Sequence, residues 1–139
     1  MVNINSSDAQ NSIKIASPRS ELRILIYEPD PPRAGGWSRE FQKEGYDLTF
    51  ASSIGQAESL ARQKRFDLAL VDVDLPHQSS RRLLHFLKKS APEMTVCMVT
   101  DYGDEELWID LVNEGASDLL CRPVQCRDVE KCLAHRPKA

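Results

Sequence analysis

The sequence predicts a doubly wound α/β domain built on a five-stranded parallel sheet, and three observations predict it. Short apolar runs alternate with longer amphipathic stretches five times along the chain. One run, Phe66 to Val73 (FDLALVDV), is almost continuously apolar, which suits a central parallel strand covered on both faces. Acidic, hydroxyl or basic residues follow the runs, where sheets of this class carry their functional groups.

The residues up to about Ser20 are rich in Ser, Asn and other small polar types, so residues 1–20 are expected to form a flexible leader. One domain is expected over residues 21–136, followed by a tail at 137–139, so no output domain is expected after the last helix. The first strand is Arg23 to Tyr27 (RILIY), ended by the turn Glu28-Pro29-Asp30-Pro31-Pro32. A helix from about Arg33 to Glu44 follows, with Trp37 and Phe41 on one face and Gly45 as its stop. Both Trp37 and Trp108 read as packing residues at helix edges.

The second strand is Tyr46 to Ala51, and Ser53 is placed to cap a helix whose Ala57, Leu60 and Ala61 share a face. The third strand lies within Phe66 to Val73, which puts Asp72 at the carboxyl edge of the sheet. After the loop Leu75 to Ser80, the segment Arg81 to Lys89 turns Leu83, Leu84 and Leu87 inward and its basic residues outward. A strand Thr95 to Val99 precedes Thr100. Asp104 is a candidate cap for a helix carrying Leu107, Leu111 and Val112, which stops at Gly115. A short strand Asp118 to Leu120 leads to Arg122-Pro123, and a last helix runs from about Cys126 to His135. With right-handed crossovers, this (βα)5 succession gives a flavodoxin-like sheet of strand order 2-1-3-4-5.

Bulk properties exclude several functions. Eighteen basic and 21 acidic residues nearly cancel, so there is no strongly cationic surface for nucleic-acid phosphates or anionic lipid, and no direct nucleic-acid partner is expected. No apolar run approaches the roughly 20 residues of a membrane helix, and the start lacks a secretory pattern. A soluble, cytoplasmic protein is expected. Cys97, Cys121, Cys126 and Cys132 lack CxxC spacing and are expected to be reduced thiols; His77, His85 and His135 offer no metal pair.

The strand ends bring together Glu28 and Asp30, Asp72 and Asp74, Thr100 and Asp101, and Arg122. Two carboxylates about 4 Å apart repel by about 4 kcal/mol at a surface-like dielectric, so the group asks for a cation or a proton. Oxygen ligands with room for water suit Mg²⁺. A flavin carrier on the same sheet is disfavoured, because the turn after the first strand has no run of Ser, Thr and Gly donors for a phosphate.

FDLALVDVDLP (Phe66 to Pro76), VTDYGDEE (Val99 to Glu106) and GASDLLCRP (Gly115 to Pro123), in this order and at the ends of these strands, resemble the receiver domains of bacterial two-component signalling, the chemotaxis-type response regulators. The resemblance covers about Glu21 to His135. It implies that Asp72 accepts a phosphoryl group from a phosphohistidine of a sensor histidine kinase or phosphotransfer protein. Thr100 and Arg122 would each bond a phosphoryl oxygen. It further implies Mg²⁺ held by Glu28, Asp30, Asp72 and the backbone carbonyl of Asp74, and a cis peptide bond before Pro123. The signal would pass to a downstream protein through the face of helix 4, strand 5 and helix 5; a homodimer is left open. Such a domain is a phosphoacceptor rather than an enzyme, with self-phosphotransfer at most.

The chain departs from the family pattern around that site. Pro29 stands where a second acid is usual, so Mg²⁺ is expected to bind weakly or not at all. Arg122 replaces the usual lysine, Asp101 the usual small residue, His77 the usual glycine, and Leu119 the aromatic switch residue. These departures keep a second reading open: a pseudo-receiver, whose surface binds a partner without phosphorylation.

Overall fold

The computed structural model describes residues 22–30, 32, 37, 39, 41, 43–73 and 78–134. The expected leader, the 137–139 tail, Asp74, His77 and His135 lie outside the described residues.

Five strands form one sheet: β1 (Arg23–Tyr27), β2 (Asp47–Ala51), β3 (Leu68–Asp72), β4 (Thr95–Thr100) and β5 (Asp118–Cys121). All pairings are parallel, in the order β2-β1-β3-β4-β5, as the alternation predicts. Every residue of β3 and β4 is buried, which is why these runs carry no polar alternation. Helical backbone at Pro32, Trp37, Arg39 and Phe41 marks α1, and residues 43–45 form a turn, so the helical positions end before the expected Glu44. The other helices are α2 (Ile54–Gln63), α3 (Gln78–Ser90), α4 (Glu105–Asn113) and α5 (Cys126–Ala134).

Alternate residues of each strand point into two cores on opposite faces of the sheet. Leu25, Ala69, Val71, Val96 and Met98 pack against Ala57 of α2, Leu83, Leu84 and Leu87 of α3, and Leu107 and Leu111 of α4. Ile24, Ile26, Leu68, Leu70 and Val99 pack against Trp37 and Phe41 of α1 and Val129 and Cys132 of α5. Each fully buried Leu or Ile contributes about 1.5–3 kcal/mol of burial free energy, and the central strands supply both layers at once.

Caps set two of the helix starts as the sequence predicts. Ser53 Oγ accepts from the Gln56 N–H at 3.1 Å, and Asp104 Oδ1 accepts from the Leu107 N–H at 2.7 Å. Two expectations are corrected. Cys97 of β4 and Cys132 of α5 are joined as a disulfide, whereas Cys121 and Cys126 are outside it and stay reduced. The sheet-to-helix packing pairs cysteines 35 residues apart, which local spacing does not announce. Trp108 is half exposed rather than packed at its helix edge; its indole N–H donates to Asp118 Oδ1 at 2.9 Å.

Candidate functional site at the carboxyl ends of the strands

The topology determines which side chains meet. Strand order reverses between β1 and β3, so the loops leaving these two strands diverge and leave a crevice at their carboxyl ends. Glu28 follows β1, and its N–H donates to Ala51 O at 2.9 Å, continuing the β1–β2 ladder. Asp72 is the last residue of β3, and the Val73 N–H bonds Val99 O at 2.7 Å. Thr100 ends β4, and its carbonyl accepts the Arg122 N–H at 2.9 Å, which carries the β4–β5 pairing to Arg122. Regular ladders thus deliver an acid, a second acid, a hydroxyl and a cation to one edge. Glu28, Asp72 and Thr100 are buried there.

One guanidinium organises the group. Arg122 Nη2 donates to Glu28 Oε1 at 3.1 Å and also to Asp72 Oδ1, while Nη1 donates to Asp101 Oδ1 at 3.3 Å. The side chains of Glu28 and Asp72 are 1% and 6% exposed and that of Arg122 is 15% exposed, so these bonds form largely out of water. Asp101, 47% exposed, sits at the rim. Burial opposes the charge of Arg122, but the hydrogen bond it donates to Asp72 and the charges of Asp72, Glu28 and Asp101 outweigh it and raise the group above its ordinary value. The Arg122–Pro123 peptide bond is cis, as expected.

Trp37 belongs to the site, a role the sequence reading missed. Its indole N–H donates to Glu28 Oε1 at 3.1 Å, and the Arg122 guanidinium carbon lies 5.9 Å from its ring centroid. A buried tryptophan needs an acceptor for its N–H, and the acidic turn nine residues earlier was the available signal. Glu28 Oε2 accepts the Asp30 N–H at 3.2 Å. Thr100 Oγ1 accepts the Tyr102 N–H at 3.2 Å, so its hydroxyl proton is what it can offer a further acceptor.

Of the expected metal ligands, then, the structure brings Glu28 and Asp72 together, with Arg122 between them. Asp30 is exposed and enters the pocket through its backbone N–H, and Asp74 lies outside the described residues. Among the described residues, no group of three or more acidic, His or Cys side chains is arranged to hold a metal ion.

Comparison with known proteins shows the family and the fold. Residues 24–134 match the family profile of the response regulator receiver domain. The response regulator protein PilR of Pseudomonas aeruginosa is 31% identical over 115 residues, which cover 83% of this chain and 26% of PilR. The crystal structure of a CheY-like receiver domain protein from Methanospirillum hungatei superimposes with a TM-score of 0.71 at 30% identity, covering 82% of this chain and 95% of that one. A Burkholderia pseudomallei response regulator with a phosphorylated aspartic acid, a calcium ion and citrate shares the fold, with a TM-score of 0.73 at 23% identity over 81% of this chain and 66% of that one. The chain spans about a quarter of the length of the first curated relatives it matches.

Receiver domains typically bind Mg²⁺ at the phosphorylation site. The residues seen here do not fit that ion in this arrangement. Both oxygens of Glu28 are engaged by N–H donors, and Arg122 Nη2 lies between Glu28 and Asp72, where an ion bridging those acids would have to sit.

Proposed function

The chain belongs to the response regulator receiver family, a two-component signalling module, and from that premise we propose that Asp72 is its phosphoacceptor and that Arg122 and Thr100 are the groups that handle the phosphoryl oxygens. The observation that carries the proposal is the placement of Asp72: a nearly buried carboxylate at the end of the central strand, bonded to a guanidinium. The donor would be a phosphohistidine on a sensor kinase or phosphotransfer protein. A carboxylate oxygen of Asp72 attacks phosphorus in line, the P–N bond breaks, and its electron pair leaves with the imidazole, which takes up a proton from solvent. The product is an acyl phosphate.

Little covalent work falls to the protein in such a transfer; placement and charge stabilisation dominate. The ladder between β3 and β4 supplies the placement. Arg122 supplies the charge, since its planar fork matches phosphoryl oxygens and remains protonated. The Thr100 hydroxyl, with its oxygen already accepting the Tyr102 N–H, donates to a second phosphoryl oxygen. A small phosphodonor could be used in the same way, which would be self-phosphotransfer rather than turnover of a substrate. The outward face is α4 with β5 and α5, where Trp108 and Ile109 are partly exposed and available to a downstream protein or a second copy of the chain.

The guanidinium that holds Asp72 also supports a second reading, a pseudo-receiver whose acceptor stays paired and whose surface is bound without phosphorylation. Intact-mass analysis with acetyl phosphate separates the two. A single phosphate adduct is expected on the wild type and none on Asp72→Ala. An adduct of equal size on both proteins, or none on either, refutes the acceptor role.

A further inference from the structure

We infer that Arg122 is the resident cation of the acceptor pocket, and that it and a divalent ion exclude one another because both require the same oxygens of Glu28 and Asp72. The inference rests on the reading of Asp72 as the centre of the site.

The bonding carries the argument. Nη2 reaches Glu28 Oε1 and Asp72 Oδ1 together, so a single nitrogen occupies the space between the two buried acids. Mg²⁺ would need those oxygens at about 2.0–2.1 Å, closer than any hydrogen bond, and could not reach them across the nitrogen. Glu28 cannot turn a fresh oxygen inward without a loss, since Oε1 also accepts the Trp37 N–H and Oε2 accepts the Asp30 N–H. Position 29 is proline and contributes no carboxylate.

Electrostatics points the same way. A dication beside a fixed guanidinium is repelled, most strongly where water is scarce. A lysine could withdraw its compact ammonium along a flexible stem, whereas the fork of Arg122 is tied at both ends, to the buried acids through Nη2 and to Asp101 at the rim through Nη1. The Trp37 ring, 5.9 Å from the guanidinium carbon, lies alongside it. The acids of this receiver are therefore balanced by a cation that is always present, and its charge state does not follow the concentration of divalent metal.

Trp37 makes the test direct. In a Trp108→Phe background it is the remaining tryptophan, and its indole bonds the contested carboxylate. Mg²⁺ is titrated into the full chain while Trp37 fluorescence is followed, with calorimetry as a second readout, for Arg122 and for Arg122→Gln. No saturable response is expected with Arg122 in place up to about 10 mM, and Arg122→Gln is expected to bind at least about tenfold more tightly.

Saturable binding within that range, up to about 10 mM, with Arg122 present would overturn the inference. So would a folded Arg122→Gln protein with unchanged affinity. Should that variant fail to fold, Arg122→Lys keeps a charge but loses the fork; it is expected to gain Mg²⁺ affinity, and unchanged affinity there also overturns the inference. Because no phosphodonor enters the titration, absence of the phosphate adduct would refute only the acceptor role, and Mg²⁺ binding by the wild type would refute only the exclusion.

Discussion

Glu28 shows how one side chain becomes dependent on distant parts of the chain. It is buried, and its Oε1 is satisfied by donors from positions 37 and 122. Replacing Trp37 by Phe keeps most of the ring volume but removes one donor to a buried carboxylate, so a loss of about 1–3 kcal/mol in urea unfolding is expected. An unchanged midpoint would mean that solvent or Arg122 takes over the bond. The raised Arg122 group adds no pH dependence in the working range. Stability from a raised group is fully present below its unfolded value and is lost only as pH rises through the folded one, far into alkali. At this scale the sequence showed which residues arrive at the sheet edge, because Asp72, Thr100 and Arg122 each follow an apolar run. It did not show how they bond. The Arg122–Glu28 contact spans 94 positions, and the path of a long side chain depends on what packs beside it, here Trp37.

Elements were legible where a local rule decides them. The start of α4 follows from Asp104, and its end is a Schellman turn: Ala116 N–H bonds Leu111 O at 3.0 Å, Gly115 N–H bonds Val112 O at 3.1 Å, and Ala116 and Leu111 share the core. Gly115 has φ 116°, and a Cβ there would lie 3.2 Å from Lys88 Cγ. Gly115→Ala should therefore cost about 1–3 kcal/mol in urea unfolding. Gly55, in the first turn of α2, is the matched control: a Cβ there meets nothing within 4 Å, and Gly55→Ala should stabilise by about 0.4–1 kcal/mol by restricting the unfolded chain. Equal effects at the two positions would show that helix propensity, not backbone handedness, governs them. Where no local rule applied, the reading erred. The Cys97–Cys132 pair forms because a β4 side chain faces α5, a fact of layer packing, and Trp108 is left half exposed because its N–H is satisfied by Asp118 at the rim of β5.

The sheet is shared by both cores, and this sets how the whole molecule should fail. Leu25 and Ile24 are neighbours in β1, yet they belong to different cores, as do Val71 and Leu70 in β3. Loss of packing on one face therefore withdraws support from strands whose other side chains hold the opposite face. Leu84 of α3 is fully buried in the core that, among the described residues, contains none from α1 or α5. Truncation to Ala should cost about 2–5 kcal/mol, through lost burial and the cavity left behind. The two tryptophans report on different sides: Trp37 sits in the core opposite Leu84, and Trp108 on α4, which packs on the same side as Leu84. Urea unfolding of Leu84→Ala, followed through Trp37 in a Trp108→Phe background and through Trp108 in a Trp37→Phe background, should shift both transitions by the same free energy relative to each parent. A shift seen by Trp108 but not by Trp37 would mean that the faces unfold independently. In that case the carboxyl edge of the sheet, built from strand ends common to both cores, could open on one side while the other stayed folded.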